Sequence, residues 1–220
     1  YEGDSILRSH QYRQAIGRTQ RTGKAWHLGL TERPDNGISL HKGKWVEEIN
    51  RAQRKVRASD GTEENYDRLI IATGSNPFII PIPGNELEGV IAFRDINDVD
   101  TMLAASNEEN GKAVVIGGGL LGLEAANGLM KQGMDVTVVH LMDTLMERQL
   151  DKPAGALLKA SLEEKGMKFL MEAQTEALLG KHKVEAVRFK DGLEIPADIV
   201  VMAVGIKPNI DLARSMGLHC

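Results

Sequence analysis

Cysteine is nearly absent from this chain: one residue in 220, Cys220 at the last position. That excludes an internal disulfide framework and any C-x-x-C redox pair within these residues, and fits a cytoplasmic setting. The six histidines are scattered and no H-E-x-x-H or Cys/His cluster occurs, so no metal site is expected. No G-x-S-x-G is present, which argues against an α/β serine hydrolase. No apolar run approaches the roughly 18 residues of a membrane-spanning helix. Charge is equally modest. A net charge of −4, with 26% charged and 42% hydrophobic residues, points to neither a nucleic-acid nor a membrane partner. At 220 residues the chain has room for one large or two small domains.

What the chain does have is glycine in a telling place. Ala113-Val114-Val115-Ile116 is an apolar, largely β-branched run, and Gly117-Gly118-Gly119-Leu120-Leu121-Gly122 follows it directly. This is G-x-G-x-x-G after a predicted buried strand. Leu120, Leu121, Leu123, Ala126, Leu129 and Met130 then recur at helical spacing, and Gly133 stands where a C-cap belongs. A second strand is predicted at Val136 to Val139. Strand, glycine turn, helix and strand form a βαβ unit with a dinucleotide pyrophosphate fingerprint. In such a unit Gly117 makes the tight turn and Gly119 lets the pyrophosphate approach. Gly122 lets the helix pack near the sheet, and the N–H groups of Leu120 and Leu121 face the phosphates.

The position that usually carries an acidic residue for the ribose 2′-hydroxyl is His140, with Asp143 three residues on. Two readings stand: His140 meets a 2′-phosphate, or it caps the strand while Asp143 takes the ribose. The choice between NADH and NADPH stays open.

Elsewhere the spacing predicts short strands at 38–41, 45–49 and 55–58, a hairpin turn at Asp60-Gly61 and a buried strand at 67–72. A helix is expected from Asp95, with Asp98 at N3, to about Ala105. Another opens at Asp151 with Pro153 and ends at Gly166. A strand at 167–171, a hairpin over 183–195 about Asp191-Gly192, and an apolar strand at 198–204 complete the pattern. Residues 1–37 are polar and basic with poor periodicity, and read as a poorly packed segment rather than a basic arm for a partner.

Three motifs now stand in order: Ala72-Thr73-Gly74, the fingerprint through Glu124, and Ala203-Val204-Gly205 with Pro208-Asn209. Together they resemble the flavin-dependent pyridine nucleotide oxidoreductases with two nested dinucleotide folds. More narrowly, residues 72–84, 117–128 and 140–151 look like the large subunits of NAD(P)H-dependent assimilatory nitrite reductases. The resemblance implies an α/β, three-layer Rossmann-like NAD(P)H-binding domain at 109–215, with a parallel sheet and a β-hairpin insertion. It also implies an incomplete β-rich part of an FAD-binding domain at 38–108, with a truncated return at 216–220. Its cofactors would be FAD and NAD(P)H; siroheme and an iron-sulfur cluster would belong to downstream domains.

Carried over by residue, Val46, Ala72, Thr73 and Gly74 would line FAD. Gly117, Gly119 and Gly122 would carry the NAD(P)H pyrophosphate. Glu124 would sit near the nicotinamide ribose, Gly205 would admit the nicotinamide, and His140 and Asp143 would face the adenosine ribose. The plainer alternatives are that Glu124 only complements the helix dipole and that Thr73-Gly74 is an ordinary strand-ending turn. Hydride transfer from NAD(P)H to FAD needs no protein acid, base or nucleophile, so no catalytic residue is assigned. A downstream redox domain or a ferredoxin- or rubredoxin-type acceptor is the implied partner, and a homodimer is possible in such a family.

Overall fold

Alternation along the central strands decides the architecture. In β6 (Lys112–Ile116), Ala113 and Val115 belong to one buried cluster, while Val114 and Ile116 belong to another. The same split recurs in β12 (Ile199–Met202): Ile199 and Val201 go one way, Val200 and Met202 the other. Successive side chains leave a strand on opposite faces, so a strand buried throughout needs a covering layer on each side. One cover is helical: α1 (Ile96–Ala105), α2 (Leu120–Lys131) and α3 (Lys152–Glu163) contribute Val99, Met102, Leu123, Ala126, Leu129 and Leu158 to the first cluster. The other is an antiparallel sheet of β11 (Glu194–Pro196), β10 (Ala186–Phe189) and β9 (Thr175–Leu179), whose Leu178, Val187 and Phe189 fill the second.

The computed structural model describes residues 39, 41–106 and 111–220. The polar segment at 1–37 and half of the strand expected at 38–41 fall outside the described residues. The chain divides into two compact units. The larger holds Asn76–Lys207 and is the helix, parallel sheet, antiparallel sheet sandwich just described. Its five strands run in the order β5-β12-β6-β7-β8, with β5 at Val90–Ala92, β7 at Asp135–Val139 and β8 at Lys168–Leu170. All four neighbouring pairs are parallel. This is the expected α/β Rossmann-like class, with the insertion forming the third layer.

Local signals set the helix limits. Asp95 caps α1 through a reciprocal box: its carboxylate accepts from the Asn97 and Asp98 N–H groups, and Asp98 accepts from the Asp95 N–H. Burial pushes the Asp98 carboxyl above the usual carboxylate range. Beyond α2, Gly133 takes φ +90°, and the Gly133 and Met134 N–H groups donate to Met130 and Leu129, a Schellman stop. Asp151 caps α3 by accepting from Ala154, with Pro153 in the first turn.

The smaller unit contains the described residues up to Ser75 and returns for Pro208–Cys220. Its sheet is antiparallel, β1 (Val46–Asn50), β2 (Lys55–Ala58) and β3 (Glu63–Asn65), with the Asp60-Gly61 turn between the last two. In that turn Asp60 accepts from the Thr62 N–H and pairs with Lys44, which holds its carboxyl well below the usual range. Short α4 (Asp211–Ser215) belongs to the same unit.

Some expectations fail. The buried strand at 67–72 is not a strand: no described strand pairs with it, and Ile70 is 88% exposed. An apolar run makes a strand only where a ladder partner exists. The insertion is larger than a hairpin. Its β10 (Ala186–Phe189) and β11 (Glu194–Pro196) are joined by a third strand, β9 (Thr175–Leu179). Its sequence Thr-Glu-Ala-Leu-Leu is rich in helix formers, and pairing with β10 overrides that propensity.

Candidate functional site

In the parallel sheet, β6, β7 and β8 follow one another outward on one side, while β12 lies on the other side of β6. The chain thus reverses its direction of travel between β6 and β12. The crevice outside the carboxyl ends of two such strands is where open α/β sheets bind ligands. Gly117 follows β6 directly, and Gly205 lies three residues beyond the end of β12.

Each glycine of the fingerprint has a separate reason. Gly117 sits at φ +124°, and a side chain there would land on the Ala203 carbonyl after β12. Its N–H donates to Val139 O at 2.8 Å, which ties the turn to β7. A Cβ on Gly122 would strike the Gly117 carbonyl, so this residue sets how closely α2 approaches the turn. Gly119 differs from both. It is the N-cap of α2 in an extended conformation (φ −83°, ψ −179°) that any residue adopts, and a Cβ there would meet nothing within 4 Å. No side chain caps the helix. The first-turn N–H groups, Leu120 and Leu121 among them, lack intrahelical acceptors. Nothing among the described residues calls for glycine at position 119.

Gly205, at φ +131°, is the matching glycine beyond β12, again with open space where a Cβ would be. Its carbonyl accepts from the Phe78 N–H at 2.9 Å. Glu124 lies half-buried one turn into α2.

His140 directly follows β7, buried to 8% exposure, with its ring turned to the glycine turn. The Gly118 N–H donates to Nδ1 at 3.1 Å; Nε2 faces the Thr144 carbonyl and Glu147 Oε2, both at 3.1 Å. A backbone N–H can only donate, so Nδ1 is an acceptor and Nε2 carries the proton. Asp143 is half exposed and accepts from Thr144 Oγ1 and from Lys152 Nζ. The Lys152 ammonium, with the Thr144 hydroxyl, holds its carboxyl below the usual range. Sequence reasoning missed Gly118, Thr144 and Glu147. A Cβ on Gly118 would come within 2.7 Å of His140 Cγ and of Leu145 Cδ2. The signal was the third glycine in a row, one more than the fingerprint needs.

In the smaller unit the first and third motifs meet. Thr73 Oγ1 donates to the Asn209 carbonyl at 2.5 Å, and the Asn209 N–H donates to Gly74 O at 2.9 Å. The clasp spans 136 residues and holds the Ala72-Thr73-Gly74 turn, with Ala72 and Gly74 exposed. Val46 begins β1 in the same unit. Thr73→Val deletes one hydrogen bond at constant volume and should cost about 1 kcal/mol. Thermal unfolding of the two proteins measures it.

Among the described residues no group of three or more His, Cys, Asp or Glu could hold a metal ion, and no helix is long and apolar enough to cross a membrane.

Known proteins carry the same framework. Nitrite reductase [NAD(P)H] of Bacillus subtilis is 55% identical over 184 residues, 84% of this chain and 23% of that protein. The assimilatory nitrate reductase electron transfer subunit of the same organism is 46% identical over 83% of this chain and 24% of its own length. The chain therefore spans about a quarter of these curated relatives. Among solved structures, a NAD-dependent persulfide reductase from A. fulgidus matches with a TM-score of 0.86 at 31% identity, over 96% of this chain and 41% of that one. The family model for pyridine nucleotide-disulphide oxidoreductases matches residues 4–220. With the glycines after β6 and β12, the switch-point crevice and the Thr73–Asn209 clasp all in place, the chain belongs to the pyridine nucleotide-disulphide oxidoreductase family.

Proposed function

We propose that this chain is the electron-input part of an NAD(P)H-dependent flavoprotein, the large subunit of a nitrite reductase. The observation that supports it most is the open space at Gly119, beside the uncapped first turn of α2. A pyrophosphate approaching on that side would be met by backbone donors and the positive end of a helix. In this reading the larger unit, Asn76–Lys207, binds the dinucleotide. Gly117 and Gly122 shape the turn, Leu120 and Leu121 donate to the phosphates, and Glu124 and Gly205 border the nicotinamide end. Asp143 would face the adenosine ribose. The smaller unit, up to Ser75 and again from Pro208, is flavin-side, with Val46 and the clasped Ala72-Thr73-Gly74 turn lining FAD.

When bound, NAD(P)H supplies a hydride to FAD, whose onward acceptor is a downstream redox domain. The chain's contribution is to bind and orient, and it supplies no proton-transfer group. The names of two relatives, a nitrite reductase and an assimilatory nitrate reductase electron transfer subunit, favour that acceptor over a separate ferredoxin or rubredoxin. A cytoplasmic setting goes with it.

Anaerobic titration of the FAD-reconstituted chain with NADH tests the reading. Bleaching of the visible flavin band at one equivalent is expected. NADH that binds without bleaching would instead make the chain a nucleotide sensor.

A further inference from the structure

The residue that follows β7 is where this fold usually meets the ribose, yet His140 turns away from open space and into the glycine turn. The loop it opens holds Gly118 from both sides. Gly118 N–H donates to His140 Nδ1, and Gly118 O accepts from the Met146 N–H at 3.0 Å. Met146 takes a left-handed backbone, φ +52°, unusual for a residue with a side chain. Strain of that kind persists only where surrounding contacts over-determine it. Here they do: the Gln149 and Leu150 N–H groups both donate to Met146 O, and Leu145 is fully buried against Gly118. Thr144 O and Glu147 Oε2 flank Nε2, which fixes the ring's tautomer from the far side.

We propose that His140 is a positioning residue of the nucleotide turn: as the neutral Nε2–H tautomer it takes the Gly118 N–H inward and thereby sets the turn that presents the next N–H groups to the pyrophosphate, without touching the ribose. The inference rests on the dinucleotide reading given above. It follows that His140 serves NADH and NADPH alike and selects neither. Both ring nitrogens are engaged within the protein, and none is left for a 2′-phosphate. Asparagine is the informative replacement, because its Oδ1 can stand where Nδ1 stands and accept from Gly118. Leucine fills similar space with no acceptor.

Long-range proton–nitrogen NMR correlations on the intact chain without nucleotide should show His140 as the Nε2–H tautomer, with the Gly118 amide hydrogen-bonded. Dissociation constants for NADH and NADPH are then measured for wild type, His140→Asn and His140→Leu. Leaving the Gly118 N–H buried without an acceptor should weaken both nucleotides about tenfold in His140→Leu. His140→Asn should restore both to within about threefold, since the acceptor is replaced. An Nδ1–H tautomer or an imidazolium in the folded chain would overturn the proposal, as would wild-type affinity in His140→Leu. A loss confined to NADPH in both variants would overturn it in favour of a direct 2′-phosphate contact. If the tautomer is as expected but wild type binds neither nucleotide, the dinucleotide reading fails and the positioning role falls with it. Binding with the wrong tautomer removes only the role of His140.

Discussion

Gly122→Ala should destabilise the larger unit by about 3 kcal/mol, lowering the unfolding midpoint by on the order of 10 °C. The added methyl lands on the Gly117 carbonyl, a backbone atom that cannot rotate aside. Gly117 is pinned in turn: its own Cα side faces the Ala203 carbonyl and its N–H is held by Val139. Relief therefore requires α2 to slide off the sheet, away from contacts that bury Leu123, Ala125, Ala126 and Leu129. Alanine's better helix propensity, worth up to about 1 kcal/mol, opposes this but is too small to cancel it. Differential scanning calorimetry of wild type and variant decides the matter. An unchanged midpoint would mean that the helix does not sit this close to the turn.

Gly119→Ser should do the reverse: leave stability unchanged or slightly raised, and weaken NADH binding roughly 100-fold, about 2.7 kcal/mol. The backbone at 119 is extended, so serine is accommodated without strain, and its Cβ meets open space. Serine is also a better N-cap than glycine by a few tenths of a kcal/mol, because its hydroxyl accepts from first-turn N–H groups. Those donors and that space are what the pyrophosphate would use. The contrast between neighbouring glycines is informative. A structural glycine loses stability and affinity together when replaced, whereas a ligand-approach glycine loses affinity alone. Unfolding curves and NADH titrations on the same samples separate the two.

The nucleotide unit was legible because its signals are local. Glycine spacing, the β-branched run before Gly117, the Asp95 and Asp151 caps and the Gly133 stop each act within a few residues, and each lies where periodicity placed it. The β-rich elements were harder, for physical reasons. Strand β3 reads Glu-Glu-Asn and is wholly exposed; it exists because β2 pairs with it and Lys55 meets Glu63. Strand β5 is three residues at the sheet edge, and β9 reads as helix until β10 lies beside it. The run at 67–72 has strand composition and no described partner. At the site, Gly117 and Gly122 could be read from spacing. The arrangement of Gly118, His140 and Glu147 could not, since it depends on a contact between residues 22 positions apart. His140 and Asp143 drew notice from their place after β7, but only side-chain geometry separates a ring turned inward from a carboxylate at the surface.

The central claim is that the turn from Gly117 to Gly122 holds the pyrophosphate of a nicotinamide dinucleotide. Amide hydrogen exchange with and without NADH tests it most directly. The account predicts slowed exchange centred on Gly119, Leu120 and Leu121, with a second protected site at Gly205 and little change in β9 to β11. Protection elsewhere with these amides unaltered, or no protection at saturating NADH, would contradict it.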